Sequence, residues 1–403
     1  MSENPQTTTS GPLTGIRVID LGSMIAGPAA ATVLCDQGAE VIKVEPPGIG
    51  DVMRYLGASR NGVSSLFHNC NRGKKSLTLN LKQAEAVEIL KALVKTADVV
   101  LENYRPGVTE RLGIDYQTLS ALNPDLIYLS VCGFGDTGPL ADKAAYDNVI
   151  QTFAGVAQSQ SDQQTGEPRL YQQLFCDKVT ALTGAQAISA ALFARERGAG
   201  GQHIRLSMAD AAVSFLWADV AGARSFEEPD AEQGMQIGRG LRLLRFSDGY
   251  GTASPVTDKM FHSFCEAFGI DSSDPQLATV ADRNANLEKV MVLLKSVDEQ
   301  AAAMTTAEAI AALDAADVPC APAHALADMP EHPQMRAMKS FASINHPVAG
   351  RMTEPRNPPR FSATDSAPPR PAAALGEHTI ELLKALNVTE DDINALKTQG
   401  AIA

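Results

Sequence analysis

The chain has 403 residues, of which 44% are hydrophobic and 20% are charged, so it can bury more than one sizeable core. Its 47 Asp and Glu residues outnumber its 34 Lys and Arg residues, and the formal net charge is -13. This excess of negative charge argues against nucleic acid and anionic membranes as partners, because both need protein cations to neutralise phosphates.

The hydropathy pattern and the spacing of cysteines and histidines narrow the class of protein further. No apolar run reaches the roughly 20 residues that a membrane-spanning helix needs, and residues 1–11 are polar rather than signal-like. The six cysteines are scattered without close pairs, which is typical of reduced thiols, and the seven histidines show no metal-ligand spacing. We therefore expect a cytoplasmic protein with no metal and no membrane segment.

The first part of the chain alternates strand and helix patterns. Predicted strands occupy residues 16–21, 40–45, 76–81, 99–101 and 126–131. Predicted helices lie between them at residues 28–37 and 83–95. Such repeated βαβ units predict a parallel, doubly wound sheet and therefore an α/β fold.

The first glycine turn, Gly22 to Gly27, lies where nucleotide-binding folds place a phosphate loop. The close Gly-x-Gly pair of the dinucleotide fingerprint is missing, and no Lys-Ser or Lys-Thr pair follows as in a P-loop. A nicotinamide enzyme is therefore disfavoured. We interpret Glu45, at the end of the second strand, as a solvated strand end rather than a ribose-binding acid.

The rest of the chain predicts a second unit and a return. A long Ala- and Leu-rich helix over 178–196 ends at glycines, and residues 225–240 lack periodicity. A strand-turn-strand pattern surrounds Asp248 and Gly249, and the proline-rich stretch 319–371 is expected to lie extended on another surface. Two short helices, at 379–386 and after Thr389, close the chain.

These patterns divide the chain into four parts. We predict a flexible tail (1–12), a large Rossmann-like domain (13–224), a linker with a small α/β domain (225–330) and a return segment that completes the large domain (331–403).

Asp177 stands at the start of the longest predicted helix. An Asp there is expected to accept backbone N–H bonds and to be held ionised by the positive end of the helix dipole. An ionised carboxylate can attack a thioester, but the position by itself favours the simpler role of a helix N-cap.

Several segments, taken in order, resemble the family III CoA-transferases (the CaiB/BaiF group, with formyl-CoA transferase and carnitine CoA-transferase) along nearly the whole chain. They are residues 13–20, 26–28, 38–45, 69–75, 79–82, 102–107, 146–147, 200–208 and 375–379. Each segment is weak alone, whereas their combined order is specific to this family.

The resemblance implies that Asp177 is the nucleophile of a covalent mechanism, with Asp147 as a second catalytic residue. Asp177 would attack an acyl-CoA, for which succinyl-CoA is a common donor, to form an aspartyl anhydride and then an aspartyl-CoA thioester that the acceptor acid opens. No cofactor is implied beyond CoA as a substrate. Family members stabilise oxyanions with a glycine loop. Its four-glycine run is absent here, and the candidates are Gly234, Gly238 and Gly240.

The resemblance also implies a set of CoA contacts and a partner. The contacts carried over are Ile25, Ala26, Leu79, Lys82, Asn103, Tyr104, Arg105, Arg111, Tyr146 and Met208. A phosphate-binding arginine of the family corresponds to Pro46, so this contact is either lost or supplied elsewhere, with Arg54 and Arg72 as candidates. The partner is a second copy of the chain, in an interlocked homodimer.

Two other functions stay open. The α-methylacyl-CoA racemases share this fold and use a histidine directly before the aspartate that corresponds to Asp147. Tyr146 occupies that position here, and a phenol with a pKa near 10 is a poor base at neutral pH. Racemisation is therefore disfavoured, while an intramolecular CoA shift within one dicarboxylate needs no histidine and stays open. Binding of CoA without catalysis is the other alternative, and the presence of both Asp177 and Asp147 argues against it, because simple binding of an anionic ligand needs neither carboxylate. The sequence does not predict which acids are donor and acceptor.

Overall fold

The computed structural model describes residues 10–162, 164–228, 230–231, 238 and 241–403. These residues form two compact units. One consists of the described residues of Met1–Ala218 together with Gln334–Ala403, and the other is Asp219–Pro333. The chain thus leaves the first unit, builds the second and returns, whereas the sequence predicted the two crossings after residues 224 and 330.

The first unit alternates strands and helices before the chain leaves it. In chain order they are β1 (Arg17–Asp20), α1 (Ala26–Asp36), β2 (Glu40–Glu45), β3 (Ser59–Arg60), β4 (Val63–Ser64), α2 (Ser65–Asn71), β5 (Lys75–Thr78), α3 (Ala84–Val94), β6 (Val99–Glu102), α4 (Val108–Leu112), α5 (Tyr116–Ser120), β7 (Ile127–Cys132), α6 (Asp147–Phe153), α7 (Val156–Ser159), α8 (Phe175–Ala194), β8 (Gln202–Ser207) and α9 (Met208–Val220).

Six of these strands form one parallel sheet in the order β5-β2-β1-β6-β7-β8. The first strand is central, the chain builds outward on one side through β2 and β5, and it then crosses to β6 and builds outward on the other side. This is the predicted doubly wound sheet, and strand order reverses between β1 and β6.

Neighbouring residues of the central strand point to opposite faces of the sheet. Val18 belongs to a core that also contains Leu34 of α1 and Ile188 of α8. Ile19 belongs to a second core with Leu90 of α3. Helices therefore cover both faces, as a parallel sheet requires.

The second unit has a small antiparallel sheet and several helices. Its elements are β9 (Leu244–Arg245), β10 (Tyr250–Ala253), α10 (Asp258–Ala267), α11 (Val280–Ala285), α12 (Leu287–Ala303), α13 (Thr306–Ala315) and β11 (Cys320–Pro322). The strands pair in the order β11-β10-β9, and the strand-turn-strand predicted around Asp248 and Gly249 is confirmed as β9 and β10. Phe261, Phe264 and Val297 contribute to a separate core.

The last part of the chain completes the first unit. Its elements are α14 (Pro333–Ala337), β12 (Phe341–His346), β13 (Gly350–Pro355), α15 (Thr379–Ala385) and α16 (Glu390–Thr398). Leu383 and Leu396 of the last two helices lie in the same core as Ile19. The description of 319–371 as simply extended was wrong, because β12 and β13 pair as an antiparallel hairpin.

Buried polar side chains hold this hairpin to the amino-terminal half of the unit. Glu354 of β13 is 2% exposed, and its carboxylate lies 3.0 Å from Nε2 of the buried His68 in α2. Arg72 lies 3.8 Å from the same carboxylate and forms a 2.6 Å ion pair with Asp36 at the end of α1. Charges removed from water need such partners, so these side chains link segments that are far apart in sequence.

Candidate active site at the carboxyl ends of the strands

Several of the predicted CoA contacts meet where strand order reverses. Ile25 directly precedes α1 and Ala26 opens it, on the loop that follows β1, while Asn103 directly follows β6. The Asn103 side chain clamps the first loop, because Oδ1 accepts from the Ser23 amide and Nδ2 donates to the Ser23 carbonyl, both at 2.8 Å. Open α/β sheets bind their ligands in the crevice at such a reversal.

The loop after β1 explains why the glycine turn is not a phosphate loop. The Gly22 amide donates to Oδ1 of the buried Asp20 at 2.9 Å, so a carboxylate of the protein already occupies that donor. Lys74 pairs with the other oxygen of Asp20 at 2.7 Å, and Lys43 donates to the Gly22 carbonyl at 2.9 Å. Burial alone would raise the pKa of Asp20, but the two lysines lower it below its usual value.

The interpretation of Glu45 as a solvated strand end was wrong. Its carboxylate is buried and receives two bonds from the Arg54 guanidinium, at 2.8 and 2.7 Å, while Ser76 Oγ donates to it at 2.8 Å. Arg54 and Arg72, the two suggested replacements for the arginine missing at Pro46, are thus each paired with a carboxylate of this chain, Glu45 and Asp36. Both guanidinium groups have structural partners in this arrangement.

Two of the predicted CoA contacts line the same groove. Lys82, just before α3, and Arg111 of α4 line one cavity of about 320 Å³, together with Lys91 and Glu88 of α3. Both Lys82 and Arg111 are exposed. A groove with several cations suits the phosphates of CoA.

The other predicted contacts have different surroundings. Leu79 and Met208 are 1% and 7% exposed, so both side chains pack inside cores. Tyr104 also packs against a core, and burial, followed by the charge of Glu102, raises its pKa to about 12. Arg105 is exposed, and Tyr146 is 65% exposed directly before α6.

Asp177 lies in the first turn of α8, three residues inside the helix rather than before it. The N-cap position is Leu174, which makes no side-chain cap, and the interpretation of Asp177 as an N-cap was therefore wrong. The backbone amide of Asp177 donates to Oδ1 of Asp147, at 3.0 Å. The free N–H group at the start of the helix is thus used by a second carboxylate, and not by Asp177 itself.

Asp147 opens α6 and is 3% exposed. Its second oxygen accepts a 2.5 Å hydrogen bond from Nε2 of Gln151, one turn along the same helix. The structure therefore connects Gln151, Asp147 and Asp177. Gln151 was not among the residues predicted from the sequence, where the available signal was the four-residue spacing of a Gln and an Asp on one helix.

The expected ionisation of Asp177 was also wrong. Burial, and then the nearby charge of Asp147, raise the pKa of Asp177 to about 7. The positive end of α8 is occupied by Asp147, so the helix dipole does not hold Asp177 ionised as expected. The result is a half-buried carboxyl group that titrates near neutral pH.

A second acid with a raised pKa, Glu102, was not predicted from the sequence. Glu102 ends β6 and is 4% exposed, and burial raises its pKa to about 7. Its carboxylate is hydrogen-bonded to Ser130 of β7 and accepts the Tyr104 amide at 2.7 Å. Glu102 thus fixes the start of the loop that carries Asn103, Tyr104 and Arg105.

The glycine candidates for the oxyanion site are mostly not placed. Gly234 and Gly240 lie outside the described residues. Gly238 is described, and its carbonyl accepts the Leu241 amide at 3.3 Å. In the described ranges, no group of three or more His, Cys, Asp or Glu side chains could hold a metal ion. None of the helices in the described part of the chain is both long and apolar enough to span a bilayer.

Comparison with known proteins identifies the family. The profile described as CoA-transferase family III matches residues 13–379. The chain belongs to this family, and its class is that of the CoA-transferases.

Individual relatives agree. The chain is 33% identical over 381 residues to acetyl-CoA:oxalate CoA-transferase of Acetobacter aceti, covering 93% of this chain and 95% of that protein. It is 31% identical to succinate–glutarate CoA-transferase of Agrobacterium fabrum, with 94% and 96% covered. Among solved structures, a CaiB/BaiF family protein from Brucella suis is 32% identical with a TM-score of 0.79, covering 94% of this chain and all of that one.

The raised pKa of Asp177 predicts that the free energy of unfolding falls as the pH rises. Its pKa is about 7 in the folded chain and about 3.9 in an unfolded one. The unfolded state therefore loses this proton first as the pH rises, and stability falls between these two values. We expect Asp177→Asn to raise the free energy of unfolding at pH 8 by up to about 4 kcal/mol, with a smaller gain toward pH 4.

Denaturant unfolding followed by circular dichroism at several pH values measures this gain. The control is Asp210→Asn, which removes an exposed acid from the first turn of α9 and should leave stability nearly unchanged. Equal changes in the free energy of unfolding of the two variants at pH 8 would contradict a raised pKa of Asp177.

Proposed function

We propose that this protein transfers CoA from an acyl-CoA to a carboxylic acid, and that Asp177 carries first the acyl group and then CoA. The observation that supports this most is the Asp177 carboxyl group itself, with its pKa raised to about 7 by burial and by Asp147. Near neutral pH about half of such groups are ionised. The ionised form is more basic than an ordinary aspartate, which favours attack on a carbonyl carbon.

The transfer balances without an added oxidant or proton donor. A carboxylate oxygen of Asp177 attacks the thioester carbonyl, the C–S bond breaks, and CoA thiolate leaves a mixed anhydride. The thiolate attacks the Asp177 carbonyl carbon, the donor acid leaves, and an aspartyl-CoA thioester forms. The acceptor carboxylate then attacks this thioester, and the two steps run in reverse to release the new acyl-CoA.

The groove of Lys82 and Arg111 is proposed to bind the phosphates of CoA. The clamp between Asn103 and Ser23 would support the remainder of the CoA molecule at the reversal of strand order. The named relatives act on oxalate, or on succinate and glutarate. We accordingly propose short carboxylic acids as substrates, with succinyl-CoA as the first donor to test.

A cytoplasmic homodimer is proposed as the working form. In the first unit, α8 and α9 expose large apolar side chains, including Phe193 at 67%, Leu182 at 62%, Phe215 at 57% and Trp217 at 50%. Apolar side chains exposed in such numbers favour coverage by a partner surface. This supports a second copy of the chain, as the family resemblance implied.

The covalent role of Asp177 can be tested directly. We expect succinyl-CoA, acetyl-CoA or oxalyl-CoA, added without an acceptor, to leave a CoA adduct on the peptide that contains Asp177, detected by mass spectrometry. Asp177→Asn should abolish the adduct and lower transfer by about a thousandfold or more, because the nucleophile is lost. Asp210→Asn should keep both. Full transfer by the Asp177 variant, or an adduct on another residue, would refute the proposal.

The CoA groove makes a separate kinetic prediction. Lys82→Ala and Arg111→Ala should each raise KM for the acyl-CoA about tenfold, equivalent to about 1.4 kcal/mol, with kcat nearly unchanged because the phosphates are remote from the reacting bond. The control is Lys95→Ala, which alters a different cavity, lined also by Asp98 and Arg195. An unchanged KM in both groove variants would place the phosphates elsewhere.

A further inference from the structure

Gln151 is the centre of a buried hydrogen-bond cluster beside the proposed nucleophile. The side chain is 1% exposed. Its Nε2 donates to Asp147 Oδ2 at 2.5 Å and to the Gln173 carbonyl at 3.0 Å, while Oε1 accepts the Tyr171 amide at 2.9 Å. One amide group therefore ties α6 to the segment through which the chain enters α8.

Asp147 depends on this donor. It is removed from water, and a buried carboxylate needs N–H groups or cations to replace its hydration. Two donors reach it, the Gln151 amide at 2.5 Å and the backbone N–H of Asp177 at 3.0 Å. Since α8 is twenty residues long, its positive end adds to the stabilisation.

Among the described residues, Cys176 and Lys178 are titratable groups near this cluster. Cys176 is buried, and burial, followed by the charges of Asp147 and Asp177, raises its pKa to about 12, so it stays a neutral thiol. Lys178 directs Nζ to the Gln173 side-chain oxygen at 2.9 Å. The charge that acts on Asp177 comes from Asp147.

We propose that Gln151 is a positioning residue for CoA transfer: by donating to Asp147, it holds that carboxylate against the first turn of α8, and so sets how closely Asp177 faces it. This inference rests on the proposed nucleophilic role of Asp177. Loss of the Gln151 donor releases the Asp147 carboxylate from this position, and a carboxylate that lies farther away opposes ionisation of Asp177 less. Gln151 thus tunes the nucleophile without touching the substrate.

The pH profile of kcat/KM tests this role. The methionine of Gln151→Met has a similar length but no hydrogen-bond donor. In this variant we expect the acid limb of the kcat/KM profile to move to lower pH by about half a unit or more. Asp147→Asn should move the limb in the same direction. The double variant should move it no further than the larger single change, because both substitutions act through the one charge of Asp147.

A matched variant separates this from simple loss of structure. Thr180→Val deletes a buried 2.7 Å hydrogen bond in the early turns of α8, from Thr180 Oγ1 to the Cys176 carbonyl, without altering charge. It should lower the thermal midpoint and leave the acid limb in place. Should Gln151→Met fail to fold, Gln151→Asn replaces it, since the shorter side chain withdraws the donor but keeps the amide.

A second readout needs no turnover. The fall in the unfolding midpoint between pH 4 and pH 8 should be smaller in Gln151→Met than in the unmodified chain, because less charge opposes Asp177. The proposed role of Gln151 would be overturned if Gln151→Met left two quantities unchanged. These are the acid limb of the kcat/KM profile and the fall in the unfolding midpoint between pH 4 and pH 8. Full activity of Asp177→Asn would instead overturn the proposed function, and the unfolding profile would still decide the question of Gln151.

Discussion

The hydrogen bond from the Asp177 amide to the Asp147 carboxylate is the interaction on which the site depends. Because of this bond, Asp147 occupies the positive end of α8, and Asp177 lies next to the negative charge of Asp147. Two acids at one helix start are thus given different properties by position alone. One is satisfied by N–H donors, and the other has its pKa raised to about 7.

The sheet supplies the place for several of the predicted CoA contacts. Parallel strands bring the loops after β1 and β6 to one edge, and Asn103 fastens them together through Ser23. Below these loops, Asp20, Lys43 and Lys74 form buried ion pairs and hydrogen bonds. Buried ionic groups contribute little net stability, but removing one partner is costly, so they hold the local geometry in a single arrangement.

Much of the fold could be predicted from periodicity alone. The buried strands are short apolar runs, and their alternation with helices indicated a parallel sheet before any coordinate was known. The paired hairpin of β12 and β13 was missed because its proline-rich surroundings suggested a chain without hydrogen-bonded partners. Its main anchor, Glu354, pairs with His68, which lies far away in sequence.

The site was predicted less completely. Asp147 and Asp177 were predicted through the family resemblance, whereas the different surroundings of the two acids depend on which carboxylate reaches a particular N–H group. Sequence spacing cannot specify that geometry. Arg54 and Glu45 illustrate the same limit. From the sequence, Arg54 was a candidate to bind a phosphate of CoA and Glu45 was interpreted as a solvated acid, but in the structure the two side chains are bonded to each other.

The central claim is that an oxygen atom of Asp177 passes through the anhydride, and isotope transfer tests it most directly. One turnover with an acceptor acid labelled in both carboxylate oxygens by ¹⁸O should leave one heavy oxygen in the Asp177 side chain, because the anhydride that forms from the acceptor breaks with its bridging oxygen on the protein. Mass spectrometry of the peptide would show it. Formation of the new acyl-CoA with no label in Asp177 would contradict the account.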